Sequence, residues 1–268
     1  MAFDPHPFHD RHDAGRQLAA ALMHLKDDHP VVLALPRGGV PVAYEVARAL
    51  DAPLDVLLVR KIGAPGQPEL GLGAVIDGAF PQRILNDELV RLVNPPEGYI
   101  DAETDRQIQE IERRRTLYCG AREPVRLEGR TVIVVDDGIA TGGTLKTALS
   151  ALSKRGVRRL IFAVPVAPEH ILDEMRREAG LDAGICLLAP RSFRAVSLYY
   201  TEFDQTSDEE VVELLNNNRL FRPENEENWR LPHGADDELG SGSELDSLPP
   251  DATRDRMPPD SAVPGGGR

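Results

Sequence analysis

Five short, mostly apolar runs alternate along the chain with helix-like segments. The runs are VVLAL (31–35), LDVLLVR (54–60), TVIVV (131–135), RRLIFAVPV (158–166) and AGICLLA (183–189). Strands that are almost continuously apolar, with helices between them, are typical of a mostly parallel sheet covered on both faces. We therefore predict an α/β fold, with a mostly parallel sheet flanked by helices.

The helices are predicted from the spacing of apolar residues and from capping residues. They are expected over 40–50, 101–118, 144–155, 168–178 and 204–215. In the segment after TVIVV, a leucine and alanine stripe recurs at helical spacing. We expect an Asp cap before the helix at 101–118, and Thr206 or Ser207 as the cap of the last helix.

The composition changes at Arg222, after which Pro, Gly, Ser and acidic residues dominate without an apolar period. Such a segment buries too little apolar surface to offset the entropy lost on ordering. We predict a folded domain over 1–221 and a disordered acidic tail over 222–268. The tail could bind a partner around Trp229 or be a solubilising extension, and we favour the second.

Charge and apolar content limit the partners of the chain. The sequence has 44 acidic and 31 basic residues, for a net charge of −13, whereas a nucleic-acid surface needs a basic field. No apolar run approaches the ~20 residues that span a bilayer, and two cysteines are too few for a disulfide framework. We expect a cytoplasmic protein without nucleic-acid or membrane partners.

The segment TVIVVDDGIATGGT (131–144) ends a buried strand in two adjacent carboxylates. Ligands of open α/β sheets bind at the carboxyl ends of the strands, where Asp136 and Asp137 are predicted to lie. The loop after them offers main-chain amides beside a helix N-terminus, which favours a phosphate. Ionised carboxylates only accept hydrogen bonds, which suits a pair of vicinal hydroxyls. The motif therefore predicts a site for a ribose 5-phosphate.

Other nucleotide motifs fit the chain less well. A Walker loop needs a lysine where Gly143 stands, directly before Thr144. The segment GLGAVI (71–76) has Ile76 in place of the third glycine of a dinucleotide fingerprint, and it is not predicted to lie between a strand and a helix.

Three segments carry a family resemblance in the same order. VVDDGIATGGT resembles the phosphoribosyl pyrophosphate (PRPP) motif of type I phosphoribosyltransferases. LPRGGVPVA (35–43) resembles the pyrophosphate-binding turn of that family, and LLVRKIGAPGQPELG (57–71) resembles the stretch that leads into its mobile catalytic loop. The likeness covers residues 8–217 and implies a small hood beside the main sheet.

The resemblance implies a Mg²⁺-dependent enzyme that transfers the 5-phosphoribosyl group of PRPP to a nitrogenous acceptor, usually a nucleobase, and releases pyrophosphate. It also implies nucleotide salvage and a homodimer. A non-catalytic PRPP sensor on the same fold is the alternative. The Arg60–Lys61 pair and the Gly/Pro-rich stretch after it favour the enzyme.

The same resemblance assigns the site residues. PRPP binding is expected from Arg37, Gly38, Gly39, Arg60, Lys61, Asp136, Asp137, Gly138, Ile139, Ala140, Thr141, Gly142, Gly143 and Thr144. Arg37, Lys61 and Glu69 are the expected catalytic residues, although Glu69 is alternatively a solvated loop residue. Asp136 and Asp137 are also expected to hold Mg²⁺, directly or through water.

The acceptor is less constrained. Ala140 stands where 6-oxopurine enzymes of the family carry an aspartate, so adenine-like or orotate-like acceptors are favoured over hypoxanthine and guanine. In the expected hood, four aromatic residues could stack on a base or belong to the core: Phe193, Tyr199, Tyr200 and Phe203. We interpret the basic run 113–115 as a solvated helix face, paired with Glu110 and Glu112, rather than a phosphate site.

Overall fold

The fold is taken from a computed structural model, which describes residues 7–77, 81–177 and 180–220, without the side chains of 219 and 220. The predicted tail, 222–268, lies outside the described residues. Within the described part of the chain, no helix is both long and apolar enough to cross a membrane.

Strands and helices alternate over 11–56 and again over 131–220. The strands are β1 (Val31–Ala34), β2 (Leu54–Val56), β3 (Val59–Ala64), β4 (Gln67–Ile76), β5 (Gln82–Leu85), β6 (Thr131–Val135), β7 (Arg159–Val166) and β8 (Ala183–Leu188). The helices are α1 (Arg11–Leu22), α2 (Gly39–Leu50), α3 (Asp87–Val93), α4 (Tyr99–Cys119), α5 (Gly143–Leu152), α6 (Glu169–Met175) and α7 (Asp208–Leu220). Short 3-10 helices cover Met23–Asp28 and Val196–Tyr199.

The main sheet is parallel and has the order β2-β1-β6-β7-β8. Its strands β1 and β6 are buried along their whole length, as expected for strands covered on both faces. The predicted α/β class is confirmed. Because β6 lies between β1 and β7, the DDGIATGG segment that follows it begins at the middle of the sheet's carboxyl edge.

A second, antiparallel sheet, β3-β4-β5, was not predicted. The strand expected over 54–60 ends at Val56, and the chain then turns into β3, which pairs with β4 across a turn at Gly66 (φ +71°). The predicted loop residue Glu69 therefore lies in β4. Glycines and polar residues interrupt the alternation of this hairpin, so its sequence favours a loop although cross-strand pairing forms strands there.

The five predicted helices are present, and their first and last residues differ from the predictions by five positions or fewer. The long helix begins at Tyr99 after Gly98 (φ +76°), so the predicted Asp cap is wrong. Ser207 is confirmed as a cap, because its Oγ accepts a hydrogen bond from the Glu210 amide at 3.1 Å. Helices α5 and α6 end about one turn earlier than predicted, at Leu152 and Met175.

A half-buried ion pair joins α1 to α2. His12 Nδ1 lies 3.0 Å from Oε1 of Glu45, whose side chain is 7% exposed. The hydrogen bond to Glu45 raises the pKa of His12 above its ordinary 6.5, although burial opposes this. Burial favours a higher pKa for Glu45, but hydrogen bonding to His12 lowers it below 4.5. The pair therefore contributes most to the stability of the fold between pH 4.5 and pH 6.5, the ordinary pKa values of its two side chains.

We predict that His12→Asn lowers the free energy of unfolding by about 1 kcal/mol more at pH 6 than at pH 8.5. The histidine contribution is complete below its unfolded pKa and is lost as pH rises through its higher folded pKa. Urea unfolding at both pH values measures the difference. His24→Asn is the control, since His24 is exposed, and an equal pH dependence in both variants would contradict the prediction.

Candidate active site

Two glycines after β1 pack against the aspartates after β6. A Cβ on Gly38 would lie 2.1 Å from Asp137 Oδ2, and one on Gly39 would lie 2.8 Å from the main-chain oxygen of Val135. The peptide bond between Pro36 and Arg37 is cis. Only glycine fits this close approach, which brings the turn beside the carboxylates. The Gly39 amide itself donates to the Leu35 carbonyl at 3.1 Å.

We predict that Gly39→Ala lowers the free energy of unfolding by about 1–3 kcal/mol, because the added methyl meets backbone that cannot rotate away. Gly143→Ala serves as the control for stability, since a Cβ there meets nothing within 4 Å. Thermal unfolding of both variants measures the difference. Equal midpoints would contradict the tight packing of the turn on β6.

The two aspartates lie in a partly buried, charged cluster. The Asp137 amide donates to Asp136 Oδ1 at 2.9 Å, and Arg11 Nε donates to Asp137 Oδ2 at 2.8 Å. Burial raises the pKa of both carboxyls, and the neighbouring Asp137 raises that of Asp136 further, while Arg11 acts against the rise at Asp137. Two carboxylates with one cation favour a ligand that donates hydrogen bonds or carries positive charge.

Arg11 is a site residue that the sequence analysis did not find. Its guanidinium lies 3.9 Å from the centre of the Phe203 ring and donates to the carbonyl of Asp204 at 2.6 Å. It thus joins α1 and the segment before α7 to Asp137. The sequence around Arg11 does not indicate a site residue, because its partners Asp137 and Asp204 are more than 100 positions away.

The loop from Gly138 to Thr144 runs from β6 into α5. Ile139 is buried, and its amide donates to the carbonyl of Val166 at 2.9 Å, which fixes the loop to β7. Gly142 has φ +74° and precedes the first turn of α5. Ala140, Thr141, Gly143 and Thr144 are exposed. The loop therefore presents hydroxyls and helix N-terminal amides, which is an anion-binding arrangement.

Three predicted cationic residues have different surroundings. Arg37 Nη1 lies 3.7 Å from Asp208 Oδ1, and Arg60 Nε donates to the neutral Gln107 Oε1 at 2.9 Å. Lys61 Nζ lies 3.6 Å from Glu69 Oε2, and the Glu69 side chain is 94% exposed. Within the described residues, Lys61 is the partner of Glu69, so the structure ties this carboxylate to the hairpin rather than to Asp136.

Two cavities adjoin the start of α5. The larger, about 250 Å³, lies between the hairpin and α5 and is lined by Lys61, Gly143 and Thr144 among others. The smaller, about 40 Å³, is lined by Leu35, Pro36, Leu57, Leu58, Val59, Arg60, Arg114 and Thr144. Arg60, the turn after β1 and the start of α5 therefore meet at one edge of the sheet.

The aromatic residues of the expected hood divide into two groups. Tyr200 is buried between Phe8 and Phe203, with ring centroids 5.3 and 4.9 Å away, and its hydroxyl donates to the Asp137 carbonyl at 2.6 Å. Phe193 and Tyr199 stack on each other at 5.6 Å and are half-buried. Tyr200 thus belongs to the core, and its hydrogen bond fixes the main chain at Asp137.

The interpretation of 113–115 as one solvated face is wrong for two of its three arginines. Arg113 is 60% exposed and pairs with Glu110, as predicted. Arg114 also pairs with Glu110 but lines the smaller cavity. Arg115 is 15% exposed and forms ion pairs with Asp55 and Asp77. Consecutive helix positions are about 100° apart, so one run faces three environments.

The aspartates fit a magnesium ion that is shared with a substrate. No group of three or more His, Cys, Asp or Glu side chains in the described part of the chain could hold a metal alone. Mg²⁺, however, is usually bound by one or two carboxylates together with substrate phosphates and water. The described hydrogen bonds use Oδ1 of Asp136 and Oδ2 of Asp137, and the other oxygens suit this role.

Comparison with known proteins decides the family. The model of the phosphoribosyl transferase domain matches residues 9–179. The chain belongs to the phosphoribosyl transferase domain family. The matched region includes the turn after β1, the Arg60–Lys61 pair and the whole loop into α5.

Three relatives show how far the similarity extends. A Mycobacterium tuberculosis protein named "Putative phosphoribosyl transferase" is 47% identical over 208 residues, which are 78% of this chain and 46% of that protein. The chain thus spans about half the length of the curated relatives it matches. A Thermus thermophilus protein of known crystal structure is 42% identical, with a TM-score of 0.68, over 78% of this chain and 98% of its own. A uracil phosphoribosyltransferase from Oceanobacillus iheyensis is 30% identical over 55% of this chain and 69% of its own.

Proposed function

We propose that the protein is a Mg²⁺-dependent phosphoribosyltransferase that transfers the 5-phosphoribosyl group of PRPP to a nitrogenous acceptor and releases pyrophosphate. The observation that supports this most is the packing of Gly38 and Gly39 against Asp136 and Asp137. This packing joins the turn after β1, two carboxylates and an anion-binding loop at one edge of the sheet. A ribose with phosphates at both ends needs these three features together.

In the proposed complex, each feature binds a different part of PRPP. Asp136 and Asp137 accept hydrogen bonds from the two ribose hydroxyls. The amides and hydroxyls of the loop from Gly138 to Thr144 bind the 5-phosphate. Arg37, the Gly38 amide, and the pair Arg60 and Lys61 contact the pyrophosphate. Gly39 contributes by its lack of a side chain, since its amide donates to the Leu35 carbonyl.

The reaction breaks the bond between C1 of the ribose and the pyrophosphate oxygen, and the pyrophosphate leaves with the electron pair. A nitrogen of the acceptor forms the new bond to C1 and loses its proton. Cationic side chains that contact the leaving group stabilise the negative charge that develops on it. When bound, Mg²⁺ would supply further charge neutralisation at the pyrophosphate, with Asp136 and Asp137 holding it directly or through water.

The proposed acceptor is a nitrogen heterocycle, with nucleotide salvage as the role if it is a free base. Ala140 places no acid in the loop, and Glu69 would have to leave Lys61 to act as a base. Because one relative is named a uracil phosphoribosyltransferase, pyrimidines are candidate acceptors as well as purines. A cytoplasmic homodimer completes the proposal, supported by family resemblance.

Pyrophosphate release from PRPP and Mg²⁺, measured over a panel of purines and pyrimidines, tests the proposal. Release with one acceptor would support the enzyme and identify its substrate. Tight PRPP binding without release over the whole panel would favour the PRPP sensor instead. Neither release nor PRPP binding would overturn both interpretations.

A further inference from the structure

The smaller of the two cavities, called the cleft below, lies beside Pro36 and is lined by two arginines, Arg60 and Arg114. Among the described residues, Arg60 donates to a neutral amide, that of Gln107, and Arg37 lies 3.7 Å from its carboxylate partner, Asp208. Glu110 is shared by Arg114, at 2.7 Å, and Arg113, at 2.8 Å. In the described part of the chain, the two arginines that line the cleft therefore have one carboxylate partner between them, Glu110, which Arg113 also binds, and this leaves positive charge for an anion.

Arg114 lies on the side of α4 that faces the sheet edge. It lines the small cleft together with Arg60, Pro36 and Thr144, and its side chain is 31% exposed. Burial and the hydrogen bond to Asp208 raise the pKa of Tyr118 to about 12, while Arg114 and Arg37 act in the opposite direction. Asp208 Oδ1 accepts from the Tyr118 hydroxyl at 2.6 Å and lies 3.7 Å from Arg37 Nη1, so Arg37 lies close to this hydroxyl.

We infer that Arg114 is a pyrophosphate-binding residue, which completes a three-arginine anion site with Arg37 and Arg60 at the turn after β1. The inference rests on the proposed function, because it identifies the anion as the pyrophosphate of PRPP. The cleft of about 40 Å³ is too small for a nucleotide, and its lining is apolar except for Arg60, Arg114 and Thr144, so an anion would contact these three side chains. Arginine suits this role because its planar donors bind two oxygens of one phosphate.

The helix supplies a matched control. Arg113 and Arg114 are adjacent, and both pair with Glu110, but Arg113 is 60% exposed and does not line the cleft. Arg113→Gln and Arg114→Gln therefore remove the same charge and the same kind of helical ion pair. Glu110→Gln gives a test in the other direction, because it removes the carboxylate that competes with an anion for Arg114.

Calorimetric titration with inorganic pyrophosphate and with PRPP, both at fixed Mg²⁺, measures the effects. Arg114→Gln is expected to weaken both ligands about tenfold, while Arg113→Gln stays within about twofold of the parent. Glu110→Gln is expected to bind pyrophosphate severalfold more tightly. Binding of ribose 5-phosphate, which lacks the pyrophosphate, should not change in any of the three.

The outcomes separate the inference from the proposed function. If the parent binds PRPP but Arg114→Gln and Arg113→Gln bind both ligands equally well, the role of Arg114 is wrong and the proposed function stands. If Arg114→Gln weakens ribose 5-phosphate as much as pyrophosphate, the residue acts on the fold and the inference also fails. If the parent binds neither PRPP nor pyrophosphate, both are overturned.

Discussion

Replacing both aspartates in the variant Asp136→Asn, Asp137→Asn is expected to weaken PRPP binding at least about 100-fold, because two charge-assisted hydrogen bonds to the ribose are lost. Phosphoribosyl transfer should fall at least as far. The fold should survive, since burial raises the pKa of both carboxyls and Asp137 raises that of Asp136 further, and neutral amides remove this repulsion. Titration calorimetry and circular dichroism measure the two expectations.

The chain contains a second pair of adjacent aspartates that serves as the control. Asp27 and Asp28 lie at the end of the 3-10 helix before β1, at the opposite edge of the sheet, and Asp28 pairs with Arg159 at 2.6 Å. The variant Asp27→Asn, Asp28→Asn removes the same charge and should bind PRPP within about twofold of the parent. Equal affinity in both double variants would contradict the role of Asp136 and Asp137.

Breaking the ion pairs of Arg115 is expected to have the largest effect on stability. Arg115 lies 2.8 Å from Asp55 and 2.9 Å from Asp77, whose side chains are 2% and 5% exposed. Arg115→Met keeps much of the volume but leaves two buried carboxylates without this cation. We expect the free energy of unfolding to fall by about 3–5 kcal/mol.

This loss should depend on pH. Burial raises the pKa of Asp77 to about 6, even with Arg115 beside it. Below that pH the carboxyl is increasingly neutral, and a neutral carboxyl gains less from a neighbouring cation. The loss of unfolding free energy in Arg115→Met should therefore be smaller at pH 5 than at pH 8. Arg113→Met, on the exposed face of the same helix, should change stability by less than about 0.5 kcal/mol. Similar losses in the two variants would contradict the structural role of Arg115.

Arg115 also supports the candidate site. It connects α4 to Asp55 in β2 and to Asp77 after β4, so it fixes the base of the hairpin that carries Lys61. The preceding residue, Arg114, lines the cleft at the sheet edge. One turn of helix therefore has a structural arginine and a candidate ligand-binding arginine in adjacent positions.

The parallel sheet could be predicted because its signals are local. Runs such as TVIVV are rich in β-branched residues, and the helix after that run has its own apolar stripe. The site edge followed from the same signals, because the motif DDGIATGG comes directly after a buried strand. The glycine turn after β1 and this motif do meet, since β1 and β6 are neighbours in the sheet.

The remaining features depend on contacts that are distant in sequence. The hairpin of β3 and β4 was not predicted because glycine and polar residues interrupt the alternation of apolar and polar positions. Hydrogen bonds between β3 and β4, and between β4 and β5, form the strands instead. Arg11 reaches Asp137 across 126 positions. Arg114 and Arg115 share one basic run with Arg113, and only the packing of α4 on the sheet separates their environments.

Titration of the parent protein with PRPP in the presence and absence of Mg²⁺ tests the central claim most directly. We predict saturable binding of PRPP that Mg²⁺ strengthens, and weaker binding of ribose 5-phosphate, which reaches the aspartates and the loop but not the arginines. Absence of PRPP binding by folded protein, with and without Mg²⁺, would contradict the proposed use of the edge formed by Gly38, Gly39, Asp136 and Asp137.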